Sequence, residues 1–142
     1  MNYSSNKLIT IGITAYNEGA YLQEAWESVI NQFDNRWKAV MVLDGGADQK
    51  TKKIFNGISH PSLKKIRVKE NKGPYHCRTL AINNAETDWY CHLDADDRFP
   101  LNAGNNVLAT IDKYPEAKYI IGRCLYFDNN NFHTKYHTGI TD

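Results

Sequence analysis

The residues best placed to do chemistry are three aspartates within four positions, Asp94, Asp96 and Asp97, in the run His92-Leu93-Asp94-Ala95-Asp96-Asp97. They follow a stretch that reads as a buried strand. Alternate residues of an extended chain point the same way, so a continuing strand puts Asp94 and Asp96 on one side and Asp97 elsewhere. Two carboxylates on one side repel each other, and a divalent cation removes that cost. Oxygen ligands favour hard ions, Mg2+ or Mn2+, which keep positions open for water and phosphate oxygens. Such a site could grip a diphosphate. The competing reading is a solvated acidic turn in which Asp96 or Asp97 accepts from the first N–H groups of the next helix. Spacing leaves both open.

Three other groups stand at chain positions where a ligand could sit. Asp44 follows the apolar run 39–43 and precedes Gly45-Gly46. An acid at the end of a second strand can accept from a ribose or base donor, and glycines let the backbone come close to a ligand. It can equally bond its own turn. Tyr16-Asn17-Glu18-Gly19 could touch a nucleobase or simply cap a helix. Lys72, beside Gly73, and Arg78 could approach a nucleotide, and Arg78 could pair with Asp44, the acidic cluster or a phosphate. A solvated helix face explains them as well. Neither GxGxxG nor GxxxxGK[ST] occurs, so phosphate would not be wrapped by a glycine-rich turn, and a metal at the acidic cluster would take over that task. His133-x-x-x-His137 has no CxxC or HExxH beside it, which argues against zinc.

These groups need elements to hold them. Strand-like runs fall at 8–14, 39–43, 63–68, 89–93 and 118–127, and the lysines of 63–68 suggest a sheet edge. Leu22, Ala25, Trp26, Val29, Ile30 and Phe33 make one stripe of helical period, with Asn17 as its N-cap. A weaker helix covers 51–58. Cys77, Leu80, Ala81 and Ala85 form a third stripe, with Pro74 in its first turn. Pro100 opens a fourth, with Leu101, Leu108 and Ile111 inward. Trp26, Trp37 and Tyr75 read as core or rim aromatics. The order β-α-β-α-β-α-β-α-β predicts an α/β, Rossmann-like, doubly wound and mainly parallel sheet in a single domain over residues 1–128, with its site at the carboxyl ends of the strands. The polar tail 129–142 is expected to be loop or frayed.

Composition limits the classes. The chain has 142 residues, 42% hydrophobic and 23% charged, which is ordinary globular usage. Seventeen basic against sixteen acidic residues give +1, which argues against a nucleic-acid partner. There is no apolar run long enough for a transmembrane segment and no signal-like h-region. Three cysteines without a CxxC predict reduced, buried thiols, so a cytoplasmic protein is expected, at most peripheral to a membrane.

The segments ITAYNEGAYLQEAWESVINQ, VLDGGADQKT, NKGPYHCRTLAINNA and DWYCHLDADDRFP resemble, in order and spacing, the successive blocks of family-2 glycosyltransferases of the GT-A fold, over about residues 7 to 127. The resemblance implies inverting transfer of a sugar from a nucleoside diphosphate sugar, a UDP-sugar above all, to a glycan, lipid or protein acceptor, with Mn2+ or Mg2+ as cofactor. It implies that Asp94-Ala95-Asp96 is the DxD motif. Asp96 would be the principal metal ligand, and Asp94 would contact the ribose or the metal-bound diphosphate. Asp44 matches the acid that binds the nucleobase. Ala15, Tyr16, Asn17 and Glu18 match the first nucleotide-contacting loop, and Lys72, Gly73 and Arg78 match the block flanking base and ribose. Two departures stand out: the family's DDGSxD is Leu43-Asp44-Gly45-Gly46-Ala47-Asp48 here, and Thr79 stands where the family has Asn. The family's catalytic base, an Asp or Glu beyond the DxD motif, is not assignable, and ED and QxxRW-like motifs are not visible. The chain is then expected to be the donor-binding part of an enzyme, with 129–142 as a tail or the start of an acceptor region. The chief alternative is a non-catalytic nucleotide-sugar-binding or assembly module. A receiver-like domain lacks its acidic pair here, and a nucleotidyltransferase its glycine-rich loop. Apolar surface left by a missing half could drive homo-oligomer formation.

Overall fold

The structure is a computed structural model that describes residues 8–32, 35–122 and 124–127 and the backbone of 132–133. Phe33, the first residues of the chain and His137 lie outside the described residues. Two compact units are present, residues 1–109 and 110–142.

The first unit contains a four-stranded parallel sheet in the order β3-β2-β1-β4, built from β1 (Ile9–Ala15), β2 (Trp37–Leu43), β3 (Leu63–Arg67) and β4 (Trp89–Asp94). The connections are α1 (Ala20–Ile30), α2 (Gln49–Gly57) and α3 (Pro74–Asn83), and α4 (Ala103–Lys113) follows β4. After β3 the chain crosses back over the sheet through α3 and lays β4 beside β1. The strand order therefore reverses between β1 and β4, where open α/β sheets bind ligands outside the carboxyl ends.

Alternation along the central strands sets the two faces. Ile9, Ile11 and Ile13 of β1 and Ala39, Met41 and Leu43 of β2 pack with Leu22, Ala25, Trp26 and Val29 of α1 and Phe55 of α2. Val40 and Val42 point the other way, onto Cys77 and Ala81 of α3. The run 39–43 is apolar at every position because both its faces are covered. Met41 is fully buried, and cutting it to Ala would cost roughly 2–5 kcal/mol, transfer and cavity together. On the α3 side, β1 carries Thr10, Gly12 and Thr14 instead of bulk. A Cβ on Gly12 would lie 2.0 Å from the Tyr90 hydroxyl, so glycine there makes room for that side chain.

Several expectations need correction. Residues 118–122 form no strand, and Tyr126–Phe127 (β5) pairs antiparallel with Phe132–His133 (β6) in a separate two-stranded sheet. The apolar letters of 118–127 misled because periodicity alone cannot tell a core strand from an exposed apolar segment: Tyr119 and Ile121 are each 76% exposed. Asn17 does not cap α1. Gly19 is the N-cap, at φ +58°, and makes no side-chain cap bond, while Asn17 Oδ1 accepts instead from the Asp48 backbone N–H (2.7 Å). The helix expected at Pro100 begins at Ala103, after Asn102 at φ +66°, and Leu101 is exposed. Ile30 sits at the exposed margin of its stripe. Pro74 does open α3, and Asp48, whose carboxylate accepts from Thr51 N–H at 2.6 Å, caps α2.

Candidate functional site

A cleft of about 350 Å3 opens at the carboxyl ends of β1, β2 and β4. Its walls bring together Ala15, Tyr16, Glu18, Asp44, Gly73, Arg78, Asp94, Ala95 and Asp96, nine of the residues singled out in the sequence. Asn17 and Lys72 do not line it. Asn17 is spent on the Asp48 backbone, and the Lys72 ammonium pairs with Glu70 at 3.2 Å. A smaller cleft, about 180 Å3, opens near Lys38, Lys64 and Glu86, where a Lys38–Glu86 ion pair crosses the surface.

Asp44 ends β2 buried, and its carboxylate is a clamp. Oδ1 accepts from the backbone N–H groups of Gly45 (2.8 Å) and Lys72 (2.9 Å), and Oδ2 accepts from that of Gly73 (2.8 Å). Burial opposes the charge, but the three backbone donors outweigh it and hold the carboxyl below its ordinary range. Asp44 thus fastens the 72–73 turn to the sheet. Gly73 sits at φ +82°, and Gly45 has no room for a Cβ, which would meet the Glu70 backbone at 2.2 Å. Cys77 packs beside this clamp, where burial first and the Asp44 charge second push its thiol up to about 11. Cys77, Cys91 and Cys124 are all free thiols, but only Cys77 is buried as expected: Cys91 is half-buried and Cys124 exposed.

The end of β4 is built differently. In parallel register Thr10, Gly12 and Thr14 stand opposite Tyr90, His92 and Asp94. Tyr90, His92 and Asp94 are two residues apart, so they share one side of the strand. Arg78, reaching over from α3, donates through Nη2 to both Asp94 oxygens (2.8 and 2.7 Å). His92 Nε2 lies 2.8 Å from Asp94 Oδ1, and its Nδ1 lies 3.2 Å from the Tyr90 hydroxyl. Burial works against the Asp94 charge, but Arg78 and then His92 overcome it and hold the carboxyl below its usual range. The same contact raises the Arg78 pKa.

The strand stops at Asp94, and a turn follows in which Asp97 N–H donates to Asp94 O (3.0 Å). The strict alternation expected through Asp96 is therefore broken. Asp96 is exposed on the cleft wall, and among the described residues no group donates a hydrogen bond to its carboxylate. Desolvation, then the charges of Asp96 and Asp94, push the Asp97 carboxyl upward. The helix-cap reading of Asp96 and Asp97 is not realised, since α4 starts six residues later, at Ala103. Among the described residues no group of three or more His, Cys, Asp or Glu side chains is arranged as a metal cage. What the cleft offers a cation is the free Asp96 carboxylate with Asp94 close by in sequence. Hard ions that take one or two carboxylates and complete their shell with water and phosphate oxygens suit that set.

His92 and Tyr90, which contact Asp94 and each other, are not among the residues singled out by the sequence. The signal was present: polar residues at 90, 92 and 94 in a buried-looking strand mark one polar file facing away from the main core.

A stretch of 94 residues is 35% identical to the teichoic acid poly(glycerol phosphate) polymerase of Staphylococcus epidermidis, covering 65% of this chain and 13% of that protein. Another, of 89 residues, is 32% identical to the succinoglycan biosynthesis protein ExoO of Rhizobium meliloti, covering 63% and 25%. The Staphylococcus aureus TarS fragment 1–349, solved with UDP, superposes with a TM-score of 0.68 at 24% identity, over 76% of this chain and 33% of that one. The Pyrobaculum calidifontis mannosyltransferase PcManGT, solved with GDP-Man and Mn2+, gives 0.64 at 20%, over 80% and 33%. The fold is therefore that of GT-A glycosyltransferases, and the chain spans a minority of the length of these relatives. The family model for glycosyl transferase family 2 matches residues 10–140, and the chain belongs to that family.

Proposed function

We propose that this chain is the donor-binding part of a metal-dependent, inverting glycosyltransferase that takes a nucleoside diphosphate sugar, a UDP-sugar first among the candidates. The observation that carries this reading is the convergence of Asp44, Arg78, Asp94 and Asp96 on one cleft where the strand order reverses. Family membership supplies the reaction class. The relatives solved with UDP, with UDP-GlcNAc, and with GDP-Man and Mn2+ support a nucleotide sugar and divide over its base.

Each residue then has a task. The Asp44 oxygens keep lone pairs beyond those used by the backbone, so the carboxylate can accept one more donor, such as a base N–H. Tyr16, at the rim, offers a ring face to the base. Arg78 lends positive charge to phosphate while keeping Asp94 turned toward it. Asp94 accepts from a ribose hydroxyl, and Asp96, with Asp94, would hold Mn2+ or Mg2+. When bound, such an ion acts as a Lewis acid toward the leaving diphosphate. Inverting displacement also needs a base for the acceptor hydroxyl and a pocket that holds that acceptor in line. We assign neither to the described residues. The division into a donor portion, 1–128, and a tail or acceptor start, 129–142, is part of this reading. So are a cytoplasmic or membrane-peripheral location and self-association. Among the described residues no helix is long and apolar enough to cross a membrane.

The test is a thermal-shift screen of nucleoside diphosphates with and without Mn2+. A ligand that binds only the folded state raises Tm. The expected result is a rise with UDP that depends on Mn2+, and a flat response to every pair overturns the reading.

A further inference from the structure

Resting on the membrane-peripheral location in that reading, we propose that α2, the edge strand β3 and the loop after it form a docking surface for a membrane that carries anionic lipids. The net charge of +1 hides a separation of charge. Residues 49–72 carry eight basic side chains and one acid, Glu70, while the rest of the chain carries nine basic and fifteen acidic ones. Three of the eight are on α2, three on β3, and two, Lys69 and Lys72, in the loop. The fold brings α2 and β3 together. Lys65 and Arg67 both lie over the Phe55 ring of α2, 4.8 and 5.3 Å from its centroid. Arg67 also donates to the Asn56 side chain, and Lys52 stands one turn before Asn56 on the same side of the helix. β3 ends the sheet, and Lys64 leaves it on the side opposite Lys65, so this edge is basic on both flanks.

The protein's own acids do not use up this charge. Lys72 pairs with Glu70 at 3.2 Å, and Lys65 is spent on the carbonyls of Asn56 and Ile58. Lys52, Lys53, Arg67 and Lys69 make no ion pair among the described residues. Burial first and the Arg67 charge second lower the Lys65 pKa, so like charges crowd here. Lysines on a sheet edge also block strand addition, which accounts for β3 but not for α2 or the loop. The form of the surface selects a membrane over an acidic polymer. Lys52, Lys53, Arg67 and Lys69 line neither of the two clefts, so the charge is spread over open surface that suits a plane of headgroups, whereas a chain needs a groove. No large apolar side chain of residues 49–72 is exposed, so the contact is electrostatic and without insertion. Lys69 and Lys72 belong to the loop that Asp44 fastens and that reaches the cleft wall at Gly73, so docking here brings the cleft up to the membrane and to an acceptor carried by a lipid.

The experiment is co-sedimentation with vesicles of phosphatidylcholine alone and of phosphatidylcholine with about one-third phosphatidylserine. The expected result is binding to the anionic vesicles only, weakened by about tenfold or more as salt rises from about 0.05 to 0.5 M. Each lysine near an anionic surface is worth about fivefold, so the double variant Lys52→Gln, Lys53→Gln should bind about twentyfold more weakly at nearly unchanged Tm. The control Lys113→Gln, Lys118→Gln removes the same charge outside this face and should bind within about twofold of wild type. Equal binding to both vesicles, a control that loses as much as the double variant, or tighter binding to soluble polyphosphate than to vesicles overturns the proposal. Calorimetry with UDP and Mn2+ separates it from the donor reading: UDP binding without vesicle binding sinks the docking surface alone, and vesicle binding without UDP binding upholds it and sinks the donor reading.

Discussion

Two strand ends, on the two sides of β1, treat their carboxylates in opposite ways. At the end of β2, Asp44 is buried and satisfied by three backbone N–H groups, two of them from the loop that leads into α3. At the end of β4, Asp94 is held by the side chains Arg78 and His92, and Asp96 has no donor among the described residues. Backbone partners cannot swing away, so the first site is part of the fold. Side-chain partners can exchange with a ligand, so the second is where a phosphate and a cation can compete for contacts. The difference teaches which aspartate should break the protein and which should break only its binding.

The largest effect should come from Asp44→Ala. It leaves three N–H groups without their charged acceptor, and a charge-assisted bond is worth about 1.5–3 kcal/mol when buried, with strong non-additivity. A loss of about 2–4 kcal/mol in urea unfolding is expected, with Asp44→Asn about half as damaging. A loss under about 0.5 kcal/mol would dissolve the distinction between the two ends.

Gly12→Ala should come next. Its Cβ would collide with the Tyr90 hydroxyl, and overpacking of this kind costs about 1–3 kcal/mol. Tyr90→Phe in the same background should recover only part of it, because the nearest atom is removed while ring carbons at 2.6 and 2.8 Å remain.

Acid should separate the two ends more gently. The folded Asp44 and Asp94 carboxyls both lie below their unfolded values, so the stability they contribute is present above about pH 4 and is lost as pH falls from there through the folded values. Asp97, shifted upward, works in the opposite direction. Urea midpoints measured from pH 6 to pH 3 should fall, and Asp44→Asn should flatten that decline more than Asp94→Asn does. The Asp94 side chain is 38% exposed and its ion pair with Arg78 is partly screened, so its share is smaller.

Arg78→Lys should change stability least, by under about 1 kcal/mol, since both side chains of the pair are about two-fifths exposed and lysine keeps the charge. Its effect belongs to binding: a single ammonium cannot reproduce the guanidinium's planar donor set, and UDP affinity should fall about tenfold in calorimetry.

How much of this was legible in the sequence follows from the kind of force at work. The four parallel strands and their helices could be read because burial writes itself as periodicity: 39–43 is apolar throughout, and Leu22, Ala25, Trp26 and Val29 repeat at helical spacing. The meeting of Asp44 and Asp94 at one end followed from the alternating order, whereas Arg78, on α3, was open between several partners and a solvated helix face. The Asp44 clamp was less visible, because its partners are main-chain N–H groups that carry no letter. Asn17 misled for a related reason: its side chain satisfies the turn before α2 rather than the helix beside it in sequence. The segment 118–127 misled because apolar residues there remain exposed.

The most direct test of the central claim is calorimetry of UDP binding, with and without Mn2+, to the wild-type protein and to Asp96→Ala. Asp96 is exposed and bonded to nothing described, so the variant should melt as the wild type does. The account predicts that manganese strengthens UDP binding to the wild type and leaves Asp96→Ala unaffected. A variant that responds to manganese as the wild type does would contradict it.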